Sequence, residues 1–186
     1  MDVQDRTKLV VLDTIAHMLA GSREDQARKI LTTYPSSSPG RAKIIGTRRR
    51  APASIAGFLN GVTTTITQFD EGHLYSRGHP AIHIVPAALA VGEEVGSRGD
   101  EFLEAVVTGY EVAARIGIAV GALRPGLHPH GMSGTFGAAV SVGKILKFNE
   151  TLFRHLLNAI STLTLFPADD TSYAGATIHH CFIGVA

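Results

Sequence analysis

Residues 100–123, DEFLEAVVTGYEVAARIGIAVGAL, form the longest stretch of the chain that keeps a single apolar period. Apolar side chains recur at three- and four-residue spacing, Asp100 stands where an N-cap belongs, and Pro125 closes the run, so the segment reads as one long helix. Its informative feature is a stripe of small residues at successive i+4 positions: Gly109, Ala113, Gly117 and Gly121. A glycine inside a helix costs about 1 kcal/mol relative to alanine. Close approach of a neighbouring helix is the simplest compensation, which places this helix at the centre of a helical bundle. Glu111 and Arg115, spaced i,i+4, read as a surface pair on it.

Downstream, residues 125–134, PGLHPHGMSG, form a loop that carries His128 and His130 into a helix over residues 135–146. A loop that runs into a helix start offers free backbone N–H groups and the positive end of a helix dipole to an anion. The glycines match neither a dinucleotide fingerprint nor a P-loop, because no strand precedes them and no GlyLysSer/Thr follows. Asn149 caps a further helix through Leu152, Leu156, Ala159, Ile160 and Leu163, and residues 167–170 break that pattern.

Upstream, residues 8–19 place Leu12, Ile15, Ala16 and Leu19 on one apolar face, with Gly21 as a stop. Ser22 followed by Asp25 reads as a cap for a short helix through Ala27, Ile30 and Leu31. Residues 34–40, YPSSSPG, are a loop by composition, residues 43–46 a short extended segment, and Arg48, Arg49 and Arg50 a solvated turn. From Pro52, the series Ile55, Phe58, Leu59, Val62 and Ile66 predicts another helix, with Asn60-Gly61 inside it as a small-residue contact. Residues 86–95 predict an alanine-rich helix closed by Gly96. No stretch shows sustained strand alternation. Aromatics make up only 6% of the chain while glycine and alanine abound, so the fold class is all-α, with tightly packed helices in one domain.

Between two of these helices lie residues 68–86, QFDEGHLYSRGHPAIHIVP, with His73, His79 and His83 among Gly72, Gly78, Pro80 and Pro86. The glycines and prolines place the three histidines on a loop, where a rigid scaffold concentrates reactive side chains. With 17 basic and 16 acidic residues the net charge is +1, which gives no whole-molecule field for nucleic acid or an anionic membrane. Cys181 is the sole cysteine, so no internal disulfide forms and a reducing, cytoplasmic location is the default. The N-terminus lacks the pattern of a signal peptide, and no run is long and apolar enough to span a bilayer.

Three chemistries compete for the histidines. A metal site lacks support from spacing: no HisGluXXHis occurs, and Pro80 argues against a helix through His79 and His83. Nucleophilic catalysis lacks a GlyXSerXGly, and Cys181 reads as a buried, inert thiol. Acid/base chemistry needs neither a metal nor any other cofactor: imidazoles on two converging loops can give and take protons near neutral pH and hold carboxylates when cationic.

Three ordered segments also carry a resemblance: FDEGHLYSRGHPAIHIVPAALAVGEEVG at 69–96, AVVTGYEVAARIG at 105–117 and GLHPHGMSGTFGAAVSVGKILKFN at 126–149. Together they resemble the MmgE/PrpD family, which includes 2-methylcitrate dehydratase and cis-aconitate decarboxylase, and the likeness runs from about Leu12 to the C-terminus. The resemblance implies the large helical domain of metal-free, usually dimeric enzymes that act on small di- and tricarboxylates as lyases, epimerases or decarboxylases. It implies catalytic roles for His79, His128 and Asp70, the last paired with Glu71. Gln68 and Gly72 stand where relatives often carry an acid and a threonine, and His179 aligns with a basic residue, which marks these three as substrate-binding positions; Leu127 replaces a commoner aromatic residue. His73 and His83 fall back to supporting roles. Family members continue beyond the equivalent of Ala186 into a smaller α+β domain, so residues 1–186 read as an incomplete helical domain. The rival expectation is a non-catalytic helical module that assembles with another chain, and a histidine metal-binding protein is the third.

Overall fold

The computed structural model describes residues 2–34, 39–175 and 177–186. Its elements in chain order are α1 (Val3–Gly21), α2 (Asp25–Thr33), β1 (Ala42–Lys43), β2 (Arg50–Ala51), α3 (Ala53–Thr65), α4 (Pro80–Val95), α5 (Gly99–Val120), α6 (Ser133–Ile145), α7 (Glu150–Ile160), α8 (Asp170–Tyr173) and α9 (Ile178–Val185). The fold is mainly helical, and its strands form one antiparallel hairpin with Ala42 opposite Ala51. Part of the loop expected at 34–40, residues 35–38, lies outside the described residues. No described helix is long and apolar enough to cross a membrane.

The helix α5 packs on α6, α6 on α4, α4 on α3, and α3 on both α1 and α9. One core cluster joins Met18, Ile84, Val85, Val106, Ala113 and Ile145, and a second joins Leu31, Ile44, Ala56, Leu59 and Ala90. The small-residue stripe on α5 does what its cost required. A Cβ on Gly109 would stand 2.5 Å from the Gly137 carbonyl oxygen of α6, and one on Gly117 would stand 2.6 Å from the Ser76 Cβ. Ala113 fills the place between them, its Cβ against Gly137. Gly121 departs from the stripe: it ends the helix with φ +70°, a left-handed conformation open to glycine. The cap of α5 is Arg98 rather than Asp100. Gly61 is a contact residue as expected, since a Cβ there would come within 2.9 Å of the Gly184 Cα on α9.

Three local expectations are corrected. In α1 the buried face is Thr7, Thr14, Met18 and Gly21, whereas Leu12 and Leu19 are exposed. Both threonine hydroxyls donate to carbonyls four residues back, Val3 and Val10, which removes the penalty of burying them. Gly21 then comes so close to the Thr63 carbonyl that no Cβ would fit. The helix α4 starts at Pro80, not Pro86, because a proline at the first helical position has no N–H to waste. Pro86 lies inside the helix, and His79 and His83 therefore sit at its N-cap and in its first turns rather than on a loop. In the arginine cluster, Arg50 belongs to β2, and the Arg49 guanidinium donates to the Leu31 and Tyr34 carbonyls at 2.7 and 2.6 Å.

Candidate functional site

The segment between α3 and α4 is a tight hairpin: His73 N–H donates to the Gly78 carbonyl at 2.9 Å, and Gln68 and Arg77 take positive φ values of 56° and 53°. The hairpin delivers His79 to the α4 N-terminus. There the Glu71 carboxylate accepts from the Ala81 N–H at 3.0 Å and from the Tyr110 hydroxyl, which fixes the acidic pair against α4 and α5. His79 Nδ1 lies 2.7 Å from the Glu71 carbonyl oxygen and 3.1 Å from Asp70 Oδ2. Both neighbours can only accept, so Nδ1 carries the proton and Nε2 is left as the free nitrogen. The carbonyl is the nearer acceptor, and Asp70 acts on the ring as a second acceptor and through its charge. Asp70 is itself held by the Thr65 hydroxyl, which donates to Oδ1 at 3.2 Å.

The electrostatics follow from these contacts. Asp70 raises the His79 pKa above its ordinary value, against the opposing effect of burial. Burial alone would raise Asp70, but His79 outweighs it and holds the carboxyl below its usual range. Glu71 moves the other way, upward, because burial dominates its hydrogen bonds.

The second histidine loop is pinned by residues that follow α7. His128 N–H donates to the Pro167 carbonyl at 2.9 Å, Asp169 N–H to Gly126 at 2.9 Å, and Leu165 N–H to Gly131 at 3.3 Å. This brings His130 to the centre of a histidine cluster. Its ring centroid lies 5.3 Å from His79, 6.2 Å from His83, 4.1 Å from His128 and 4.7 Å from His179, the last stacked at 28°. His179 comes from α9, with its Nδ1 2.9 Å from the Ser172 hydroxyl. Burial pushes His83 and His179 down to about 4, and lowers His128, His130 and His180 as well. The imidazole beside Asp70 is thus shifted towards its cationic form and its neighbours towards the neutral one. His128, His130 and His179 each offer a ring nitrogen within 4.8 Å of the others, a spacing able to hold a metal ion. These ligands come from a loop and a distant helix, so no spacing along a single helix reports them.

Of the expected site residues, Asp70, His79, His128 and His179 converge on this cluster. Gln68 and His179 line one wall of an open cleft of about 530 Å³, together with Arg23, Ser172 and His180. The Gln68 side chain folds back to donate to the Thr65 carbonyl at 2.7 Å. Gly72 faces a different cavity, with Tyr110 and His73, although its Cα side abuts the His79 ring. His73 stands apart from the cluster, edge-on to Tyr75 and Tyr110. His83 is buried beneath Gly134, whose absent Cβ leaves room for its ring. Sequence reasoning named His130 as a loop histidine without assigning it a role, and passed over Thr65 and Ser172. The HisProHis spacing was the one available signal for His130, since a single intervening residue keeps both rings on one loop.

Most of the chain matches a known family. The model of the MmgE/PrpD N-terminal domain matches residues 1–175. The chain belongs to the MmgE/PrpD family. It is 34% identical over 159 residues to a cis-aconitate decarboxylase-like protein of Aspergillus oryzae, a match that covers 78% of this chain and 32% of that protein. It is 28% identical over 154 residues to the cis-aconitate decarboxylase of Aspergillus terreus, covering 78% of this chain and 31% of the relative. The chain thus spans about a third of the length of these MmgE/PrpD relatives.

Proposed function

We propose that this chain forms the helical part of a carboxylate-processing enzyme of the lyase or isomerase class, with His79 and His128 as the proton-transferring pair and Asp70 as the group that orients and charges His79. The supporting observation is the fixed orientation of the His79 ring, whose Nδ1–H is held by Glu71 and Asp70 while Nε2 is turned away from them. Its side chain is 37% exposed, so a substrate can reach it. In this reading one histidine removes a proton next to a substrate carboxylate, the resulting charge spreads into that carboxylate, and the other protonates the leaving group. In the adjoining cleft the neutral His179 would hold a second carboxylate by hydrogen bond, with Arg23 offsetting part of the negative charge of Glu24 and Asp25. Small di- or tricarboxylates are the substrates this arrangement fits, in a cytoplasmic homodimer that needs no metal or other cofactor for the proton transfers.

The test is exchange of solvent deuterium into small di- and tricarboxylates, followed by NMR. Exchange should fall by at least about 100-fold in His79→Asn and in His128→Asn, the lower range of general acid–base contributions. Unchanged rates in both variants would sink the proposal. A second reading, a non-catalytic module that pairs with another copy of itself, draws support from the exposed Leu9, Leu12 and Leu19 on α1. It predicts a dimer in sedimentation together with no exchange by the unaltered protein.

A further inference from the structure

We propose that His128, His130 and His179 bind one divalent transition-metal ion of the zinc, cobalt or nickel class. Their donor atoms lie within 4.8 Å of one another. Zinc–imidazole bonds of about 2.0–2.1 Å need nitrogens roughly 3.3 Å apart, so each ring would move inward by roughly 0.8 Å and the stacked His130 and His179 rings would also turn to aim both lone pairs at one ion, through their side-chain torsions. His130 supplies the second, independent observation. It is 3% exposed, and both of its ring nitrogens are buried without a hydrogen-bond partner among the described residues. A neutral imidazole always presents one lone pair and one N–H, and leaving both buried and unmatched is costly. An ion on the lone pair removes the larger part of that mismatch.

The surroundings fit a metal better than another cation. Three imidazoles without carboxylate or thiolate select borderline ions rather than calcium or magnesium, which demand oxygen ligands. Ser172 is placed as an outer-sphere partner, its hydroxyl 2.9 Å from His179 Nδ1, where it can fix the ring orientation. His179 lines the cleft of about 530 Å³, which gives the ion an access route. Because His128 belongs to both arrangements, a bound ion would occupy the nitrogen that the proposed proton transfer uses. The ion is therefore expected to inhibit exchange rather than support it.

The experiment needs no substrate, so its failure is distinct from failure of the carboxylate reading. The chelator-stripped chain is titrated with zinc by calorimetry, and with cobalt while its visible absorption is followed. The expected result is one ion per chain and the intense visible bands of low-coordinate cobalt. His128→Asn, at the least buried of the three rings, should weaken binding by more than the roughly 100-fold that loss of an outer-sphere partner costs. His130→Asn should do the same. His73→Asn, remote from the cluster, should not change it. Circular dichroism establishes that each variant is folded, and if His130→Asn is not, His128→Asn carries the test. Absence of stoichiometric binding by the folded chain, or binding that survives His128→Asn, overturns the proposal.

Discussion

Replacing Gly109 by alanine sets two well-defined energies against each other. Alanine favours the α5 helix by about 1 kcal/mol over glycine. The added Cβ would, however, stand 2.5 Å from the Gly137 carbonyl oxygen and 3.0 Å from the Ser141 Cβ, where ordinary contact begins at 3.4 Å. The obstacle is backbone, so no rotamer change relieves it. The contact is also reciprocal, since a Cβ on Gly137 would meet the Gly109 oxygen at 2.7 Å. The two helices must separate by about 0.9 Å at their crossing, and overpacking of this kind costs about 1–3 kcal/mol, toward the upper end when the partner is rigid. The net expectation is a loss of about 2 kcal/mol, which for a chain of this size lowers Tm by about 4–8 °C. Thermal and urea unfolding followed by circular dichroism measure it. Gly99→Ala is the matched control, because nothing lies within 4 Å of a Cβ there. Its stability should stay within about 0.5 kcal/mol of the parent. A Tm for Gly109→Ala at or above that of the parent would refute the reasoning that the small-residue stripe exists for close helix approach.

Asp70→Asn should change the pH dependence of stability. The contribution of the lowered Asp70 is present above its ordinary 3.8 and lost as pH falls through its depressed value, whereas that of the raised His79 is full below 6.5 and lost as pH rises through its elevated value. The gap between parent and variant in urea unfolding should therefore be widest between the ordinary 3.8 and 6.5 and narrow as pH rises through the elevated His79 value, and a gap independent of pH would contradict the pairing. Arg49→Met removes two guanidinium bonds, to the Leu31 and Tyr34 carbonyls, and should cost about 2 kcal/mol and speed amide exchange in α2. Exchange in α2 unchanged from the parent would mean those bonds contribute nothing.

The central helix was legible because glycine inside a helix is costly, and a repeated cost at i+4 spacing has one economical explanation. The same residue type misled at Gly121, where the end of the helix needs a left-handed residue rather than a close neighbour. The buried face of α1 was hidden for a related reason. Leucines lie on the side away from the core, while Thr7 and Thr14 can be buried because their hydroxyls bond to their own helix. The start of α4 was missed because Pro80 and Pro86 compete as breakers, and only the first sits where a missing N–H costs nothing. The histidine cluster was half legible. His79 and His128 were reached through motifs within single segments, but His130 gains its meaning from rings contributed by α4 and α9, and no local pattern reports that convergence.

The glycines and the histidines turn out to be one subject. The hairpin leading to His79 rests its Ser76 on Gly117, with no space for a Cβ between them. The start of α6, which follows His130, crosses His83 at Gly134, where a Cβ would fall 2.1 Å from the imidazole. The helix that carries His179 lies against α3 through Gly61 and Gly184. Each of the three histidine-bearing segments is thus located by a contact in which a missing side chain lets another group approach. Such contacts have little room to relax, because interiors are packed as densely as crystals of small organic molecules. Substitutions of the imidazoles should consequently act on chemistry and ligand binding one ring at a time. Substitution of Gly117, Gly134 or Gly184 should instead shift a whole segment and alter every function of the cluster together.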